Sequence, residues 1–286
     1  MNIIFDGISR TKWIQTIVKN RNISIETKEP INLIFNSISN PEEIEPFHIV
    51  LLACFIQYLK IKGYHGMIDP QNEDVYSFLK DNLQFDKYFS EETDFIKAKD
   101  FSVLNLWKVT EDRKETYSEQ VHDFLKNSFF KNKDLSAVKN SLLECYYNIF
   151  DHADANGNAF SFTKYNEENQ KLYVAICDFG KGIASSIRSK YNVQSDKDAI
   201  QMAIEIGISV KSKIHNKGFG LNNILSTLAS DDKLRILSNS GFLFAIGGKI
   251  KTFDIDFQFN GTLLYYELSI QDIEELEINE IMNLDF

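Results

Sequence analysis

"KLYVAICDFGKGI", residues 171–183, is the stretch on which the reading of this chain turns. Leu172 to Cys177 is a short apolar run with a valine and an isoleucine, too brief for a helix, and it reads as a buried strand. An acid, Asp178, closes it. Gly180 and Gly182 follow, and with no Cβ they let the backbone turn sharply and lie flat against a planar ring. A carboxylate at the end of a buried strand is placed to accept a hydrogen bond from an exocyclic amine, such as that of adenine.

Three further elements flank this one in order. Upstream, "LLECYYNIFDHAD" (142–154) reads as the end of a helix beginning at Ser136, its expected cap. Glu144, Asn148 and His152 stand four apart and share one side of it. Asn148 offers an uncharged oxygen suited to Mg²⁺, which also takes phosphate oxygens and water. Glu144, one turn earlier, can orient or deprotonate a water attacking a γ-phosphate. Downstream, "KGFGL" (217–221) opens a helix whose free N–H groups suit phosphate. Lys211, Lys213 and Lys217 add positive charge before it. Last, Gly261 and Thr262 open the strand "GTLLYYELSI". Each signal alone is weak, because Gly-x-Gly is commonly just a turn and an i, i+4 polar pair commonly a solvated face. Their order is what carries information.

With these residues in hand, the chain resembles the GHKL superfamily, which includes gyrase and the histidine kinases. Glu144 and Asn148 look like its N box, with His152 and Ala153 like the His-Ala that often ends it. "DFGKGI" looks like the G1 box, "KGFGL" like the G2 box, and "NGTLLYYEL" like the closing Gly-Thr strand. The match covers about residues 136–270. It implies a Bergerat fold, an α/β sandwich with helices on one face of a mixed sheet. It implies ATP with Mg²⁺, the metal on Asn148, adenine on Asp178 and Thr262, and a mobile lid over roughly 205–220. Asp151, His152, Gly180, Gly182, Ile183, Lys211, Lys217, Gly218, Phe219, Gly220 and Leu221 complete the nucleotide contacts so implied, with Glu144 as the catalytic residue.

Composition bounds the rest. The chain has 286 residues, long enough for two domains, and its 23 Phe and 12 Tyr allow a sizeable core in each. A net charge of −10 argues against a general nucleic-acid binder. Cys54, Cys145 and Cys177 are odd in number, widely spaced and set among apolar neighbours, as reduced buried thiols are. "MNIIFDGISRTKW" lacks the long apolar run of a signal peptide, and "FHIVLLACFIQYL" (47–59) is too short to span a bilayer. A cytoplasmic protein is expected.

The first 100 residues alternate strands and helices: a strand at 31–39, a helix over 46–63, a short strand at 64–69 and an amphipathic helix over 72–85. This predicts a smaller α/β domain. "INLIFNSISNPEEIEPFHIVLLACFIQYLKIKGYHGMID" resembles a STAS-like domain, although Glu45-Pro46-Phe47 stands where such switch proteins carry a phosphorylatable hydroxyl. Residues 101–135 read as a connector, with a strand at 103–110 and a helix over 117–131. The acidic tail, 271–286, reads as a solvated helix.

The class of activity is less legible. A two-component histidine kinase needs an acceptor histidine on a long helical hairpin. His122 lies only 26 residues before Asn148, which leaves no room for one. The preferred expectation is an ATPase switch whose lid closure controls a protein interface. The alternatives are an anti-sigma-type serine kinase acting on a STAS-like partner and a non-hydrolysing ATP sensor. A homodimer or a small STAS-like or effector partner is expected.

Overall fold

Alternation of buried and exposed residues sets up the first sheet. The computed structural model describes residues 1–21, 30–89, 103–155, 157–205, 225 and 228–275. Strand β1 (Asn2–Asp6) turns Ile3 and Phe5 inward and leaves Asn2, Ile4 and Asp6 outside, the period-2 pattern of a half-buried strand. Helix α1 (Arg10–Asn20) buries Trp13, Ile14 and Ile17 at helical spacing. Strands β2 (Ile31–Asn36) and β3 (Gly66–Ile68) complete a three-stranded parallel sheet in the order β1-β2-β3.

Helix α2 (Pro46–Ile61) joins β2 to β3. Proline fits its first turn because no N–H is needed there, and Gly63, at φ +82°, follows its end. Its start is a reciprocal cap. The Glu45 side chain accepts from the His48 backbone, and the Glu45 N–H donates to His48 Nδ1 at 3.1 Å. The helix is apolar on every side and buried from Pro46 to Gln57. A helix of that kind belongs in the middle of a structure, and α2 packs between the first sheet and the back of a second one, against β5 and β6.

The second sheet is antiparallel in the order β4-β5-β6-β8-β7. Its strands are β4 (Val103–Lys108), β5 (Ala159–Asn166), β6 (Lys171–Asp178), β7 (Lys233–Ile246) and β8 (Lys249–Ser269). Strand alternation sorts its side chains between two cores. Ala175, Cys177, Leu263 and Tyr265 face α2 and the first sheet. Val174, Ile176, Leu264 and Tyr266 face the opposite way, onto Leu142, Cys145 and Tyr146 of α5 (Ser136–Asn148) and Val121 and Leu125 of α4 (Lys114–Ser128). The short helices α3 (Glu73–Ser77), α6 (Ile183–Arg188) and α7 (Asp196–Ile204) complete the regular elements among the described residues. The class is α/β, with parallel and antiparallel sheets layered with helices.

Several local expectations change. Residues 103–108 of the stretch read as a connector are the edge strand of the second sheet, and α4 packs along α5. Ser136 does not cap α5. Its N–H is held by Asp134 Oδ1 at 2.9 Å two residues earlier, and the cap position is Leu135. The helix expected over 72–85 stops at Ser77 and widens into a π turn over Phe78–Asn82. The hairpin expected over "FLFAIGGKIKTF" (242–253) is present but longer: "KIKTF" and "GTLLYYELSI" belong to one strand, β8, running back along β7 from a two-residue turn. Both turn residues, Gly247 and Gly248, have positive φ, at +51° and +76°, the tight connection that twisted hairpins favour. In the tail, Ile270–Asp272 form a single 3₁₀ turn and Glu275 bridges to Lys133; residues 276–286 lie outside the described part. No helix among the described residues is long and apolar enough to cross a membrane.

Candidate functional site

Asp178 is the last residue of β6, paired in register with Thr262 of β8. Period-2 alternation puts it on the same face as Val174 and Ile176, the face covered by α5. The residue is 3% exposed. Oδ1 accepts the Gly180 N–H at 2.8 Å, and Thr262 stands opposite Asp178 across the strand pair, its hydroxyl 3.3 Å from Ser238 Oγ. Burial pushes the Asp178 pKa up to about 7; the Gly180 N–H, the polar groups of Thr262 and the charge of Arg21 pull the other way. An ionised carboxylate offers about four acceptor positions. Gly180 takes one of them, which leaves capacity for an outside donor.

The glycines after Asp178 are required by close approach. A Cβ on Gly180 would sit 2.0 Å from the Ala153 carbonyl oxygen. One on Gly261 would sit 2.1 Å from the Asp178 carbonyl oxygen, at φ +129°. The turn is therefore pressed onto the end of α5, which widens into a π turn over Ile149–Ala153 and stops at Asp154 in the left-handed region. Lys181 staples the two together: its N–H donates to Ala153 O at 2.7 Å and its ammonium to Asp154 Oδ2 at 2.7 Å. The turn leads into α6 through Ser238, whose Oγ accepts from Ile183 N at 2.7 Å and donates to Gly261 O at 2.9 Å. Asn239, at φ +56°, donates from Nδ2 to Lys181 O at 3.0 Å.

The residue after Asp178 points the other way. Phe179 lies in the core shared with α2, edge-on to Tyr58 and Phe259. The guanidinium of Arg21 stacks over it at 4.1 Å from the ring centre. Asn158 joins the same layers: Nδ2 donates to Cys54 O in α2 at 3.1 Å, while its own carbonyl accepts from Phe179 N at 3.0 Å. The three cysteines are free and buried, and Cys54 Sγ donates to Cys177 O at 3.3 Å.

Of the residues named from sequence, Asp178, Gly180, Gly182, Ile183 and Thr262 lie around one turn, with the end of α5 against it. Glu144 and Asn148 are half-buried on the last turns of α5, and Asn148 makes no capping bond with its side chain. Asp151 and His152 contribute backbone to the π turn, and their side chains lie outside the described part. Lys211, Lys217, Gly218, Phe219, Gly220 and Leu221, and the lid expected over 205–220 beyond Glu205, lie outside the described residues. A separate carboxylate and imidazole cluster, Glu119, His122 and Asp123, sits on α4 and is largely exposed.

Sequence reasoning missed Ser238, Asn239 and Asn158. "LSNSG" (237–241) carried a signal, since Asn and Ser interrupt an apolar strand there. Arg21 carried none, because its role depends on how the two sheets meet.

No protein-family model matches the chain, and no curated protein matches it. Among solved structures it is similar to the histidine kinase domain from the Erythrobacter litoralis EL346 blue-light activated histidine kinase, with a TM-score of 0.28 and 9% identity over 92% of this chain and 94% of that chain. The two backbones overlay loosely at that score, and the reading of the site rests on its own geometry.

Proposed function

We propose that the chain binds ATP with Mg²⁺ where β6 ends beside α5, on a Bergerat-type frame, and works as an ATPase switch whose closure changes a protein interface. The observation that carries this reading is Asp178: a buried carboxylate that accepts from the Gly180 N–H, faces Thr262 across the strand pair, and has acceptor capacity left beside a glycine turn. That arrangement supports recognition of an exocyclic amine.

The roles follow from placement. Asp178 accepts from the purine amine, and Thr262 holds the carboxylate in orientation. Gly180 and Gly182 keep the turn flat enough for a ring to lie on it. Asn148, uncharged and near the end of α5, fits the oxygen-rich ligand set that Mg²⁺ takes when it shares phosphate oxygens. The metal, when bound, would neutralise charge on the phosphates. Glu144, one helical turn before Asn148, holds the water that attacks and accepts its proton. The STAS-like reading of the N-terminal unit and a homodimeric or small effector partner belong to the same proposal. A switch needs an interface that differs between nucleotide states, and the Phe179–Arg21 contact gives the turn a direct route to the N-terminal layers.

The test is Mg²⁺-dependent ATP binding followed by phosphate release. Asp178→Ala should abolish binding while the protein stays folded by circular dichroism. Glu144→Ala should bind as the parent does and lose turnover. Binding by Asp178→Ala at parental affinity would show the purine assignment to be wrong. Transfer of the γ-phosphate to a STAS-like protein would replace hydrolysis by kinase activity, and tight binding with neither outcome would leave a sensor.

A further inference from the structure

A second concavity lies on the opposite face of the second sheet, between α1 and the β7–β8 hairpin. Its volume is about 600 Å³, within the range of pockets that enclose small ligands, and like many of those it sits where two layers of a protein meet. Its walls are mainly apolar: Ile14 and Phe47 on one side, Leu237, Phe242, Phe257 and Leu263 on the other. Two guanidiniums enter at one end. Arg10 is held by Glu45, through Nε and Nη2 at 2.6 Å each, and lies 4.9 Å from the centre of the Tyr265 ring. Arg235 donates through Nη1 to Glu267 at 2.5 Å and lies 5.7 Å from the same ring. These bonds fix both side chains yet leave donors over. Nη1 of Arg10, and Nε and Nη2 of Arg235, make no hydrogen bond among the described residues.

The charge at this end favours an anion. Arg10, Arg235 and Lys233 surround two carboxylates, Glu45 and Glu267. Two acids, Asp254 and Asp256, also line the groove, farther along the hairpin from Arg235. Gly241, which pairs with Asp254, is six residues beyond Arg235, roughly 20 Å of strand. Asp254 is also neutralised by Lys197 at 3.5 Å. One further polar atom is unaccounted for: the buried Tyr265 hydroxyl has no hydrogen-bond partner among the described residues.

We propose that this groove is a second binding site, for a small, flat, apolar molecule carrying one anionic group, its ring against Phe242, Phe257 and Leu263 and its anion on Arg10 and Arg235. The site does not depend on the nucleotide reading, although Leu237 and Leu263 are the chain neighbours of Ser238 and Thr262.

The experiment is a fluorescence titration of the full chain with two probes of similar shape: 8-anilinonaphthalene-1-sulfonate, which has the anion, and N-phenyl-1-naphthylamine, which lacks it. The parent should bind the sulfonate saturably at one site and the neutral probe at least about tenfold more weakly. Arg235→Gln should remove that preference, Arg235→Lys should keep part of it, and Gln15→Trp, at the exposed rim, should block both probes. Melting curves establish that each variant is folded; should Arg235→Gln not fold, Gln15→Trp decides. Absence of saturable binding to the parent, equal binding of the two probes, or binding untouched by Gln15→Trp would overturn the proposal.

Discussion

At the scale of single residues, the site depends on two kinds of constraint, close approach and burial of ionisable groups. Gly180→Ala forces a Cβ to within 2.0 Å of a backbone carbonyl. It should cost about 3 kcal/mol, at the upper end of overpacking, and weaken nucleotide binding with it. Gly157→Ala, at φ +75° but with nothing within 4 Å, should cost only about 1 kcal/mol, from backbone strain. Denaturant titration of both variants checks the contrast. Burial acts with opposite signs on two other residues. His48 is neutral in the fold: Nδ1 accepts from Glu45, so Nε2 carries the proton and donates to Ile8 O at 3.1 Å, and burial pulls its pKa down to about 4. The unfolded chain takes up that proton near 6.5, so the contribution of His48 is complete above about pH 6.5 and is lost as pH falls towards 4, in all about 3 kcal/mol. Asp178 behaves inversely. Its pKa is raised by burial to about 7, so the folded state keeps a proton that the unfolded chain has released, and stability falls as pH rises from about 4 through 7. His48→Gln should therefore flatten the acid side of the stability profile, measured by melting at pH 4.5, 5.5 and 7. An unchanged profile would show that His48 is charged in the fold. Purine binding should weaken below about pH 7, as the Asp178 carboxylate gains its proton.

Among elements, α2 carries most of the architecture. A helix with no polar side has to be covered all round, and here it separates the two sheets. Phe55 within it is fully buried. Phe55→Ala should destabilise the whole chain by about 4 kcal/mol in one cooperative transition, as a urea melt followed by tyrosine fluorescence and by circular dichroism would show. Two separate transitions would mean that the layers fold independently. The sequence shows how much of this is legible beforehand. Strong periodic or apolar runs marked α2 and β6 nearly to the residue, because burial and local pattern agree there. The end of α5 was legible as a helix reaching Ala153, but not its start, since Ser136 suits a cap and only the path of the chain puts Leu135 there instead. The long β7–β8 hairpin was legible only in part, because Ser238 and Asn239 read as a break, while the glycine pair at its tip read as a turn. In the fold the first are a bulge that reaches the Asp178 turn, and the second is the hairpin turn itself.

On the scale of the whole molecule, the chain is four layers: a parallel sheet, α1 and α2, an antiparallel sheet, and α4 with α5. The candidate site lies on one face of the antiparallel sheet, and the N-terminal layers cover the other. Which residues share a turn at Asp178 was readable from glycine and acid spacing. That Arg21, about 160 residues away in sequence, stacks on the next side chain was not, because it follows only from how the sheets pack. A fragment beginning at residue 103 would uncover Phe160, Phe162, Ala175, Cys177, Leu263 and Tyr265 together. It should be insoluble or rapidly proteolysed where the full chain is stable, which limited proteolysis would establish. The central claim concerns the carboxylate at the end of β6, and calorimetric titration of the full chain with a non-hydrolysable ATP analogue, with and without Mg²⁺, tests it most directly. The expected result is saturable, Mg²⁺-dependent binding by the parent and none by a folded Asp178→Ala variant. Contradiction would be a parent that takes no nucleotide, or a variant that takes it as well as the parent.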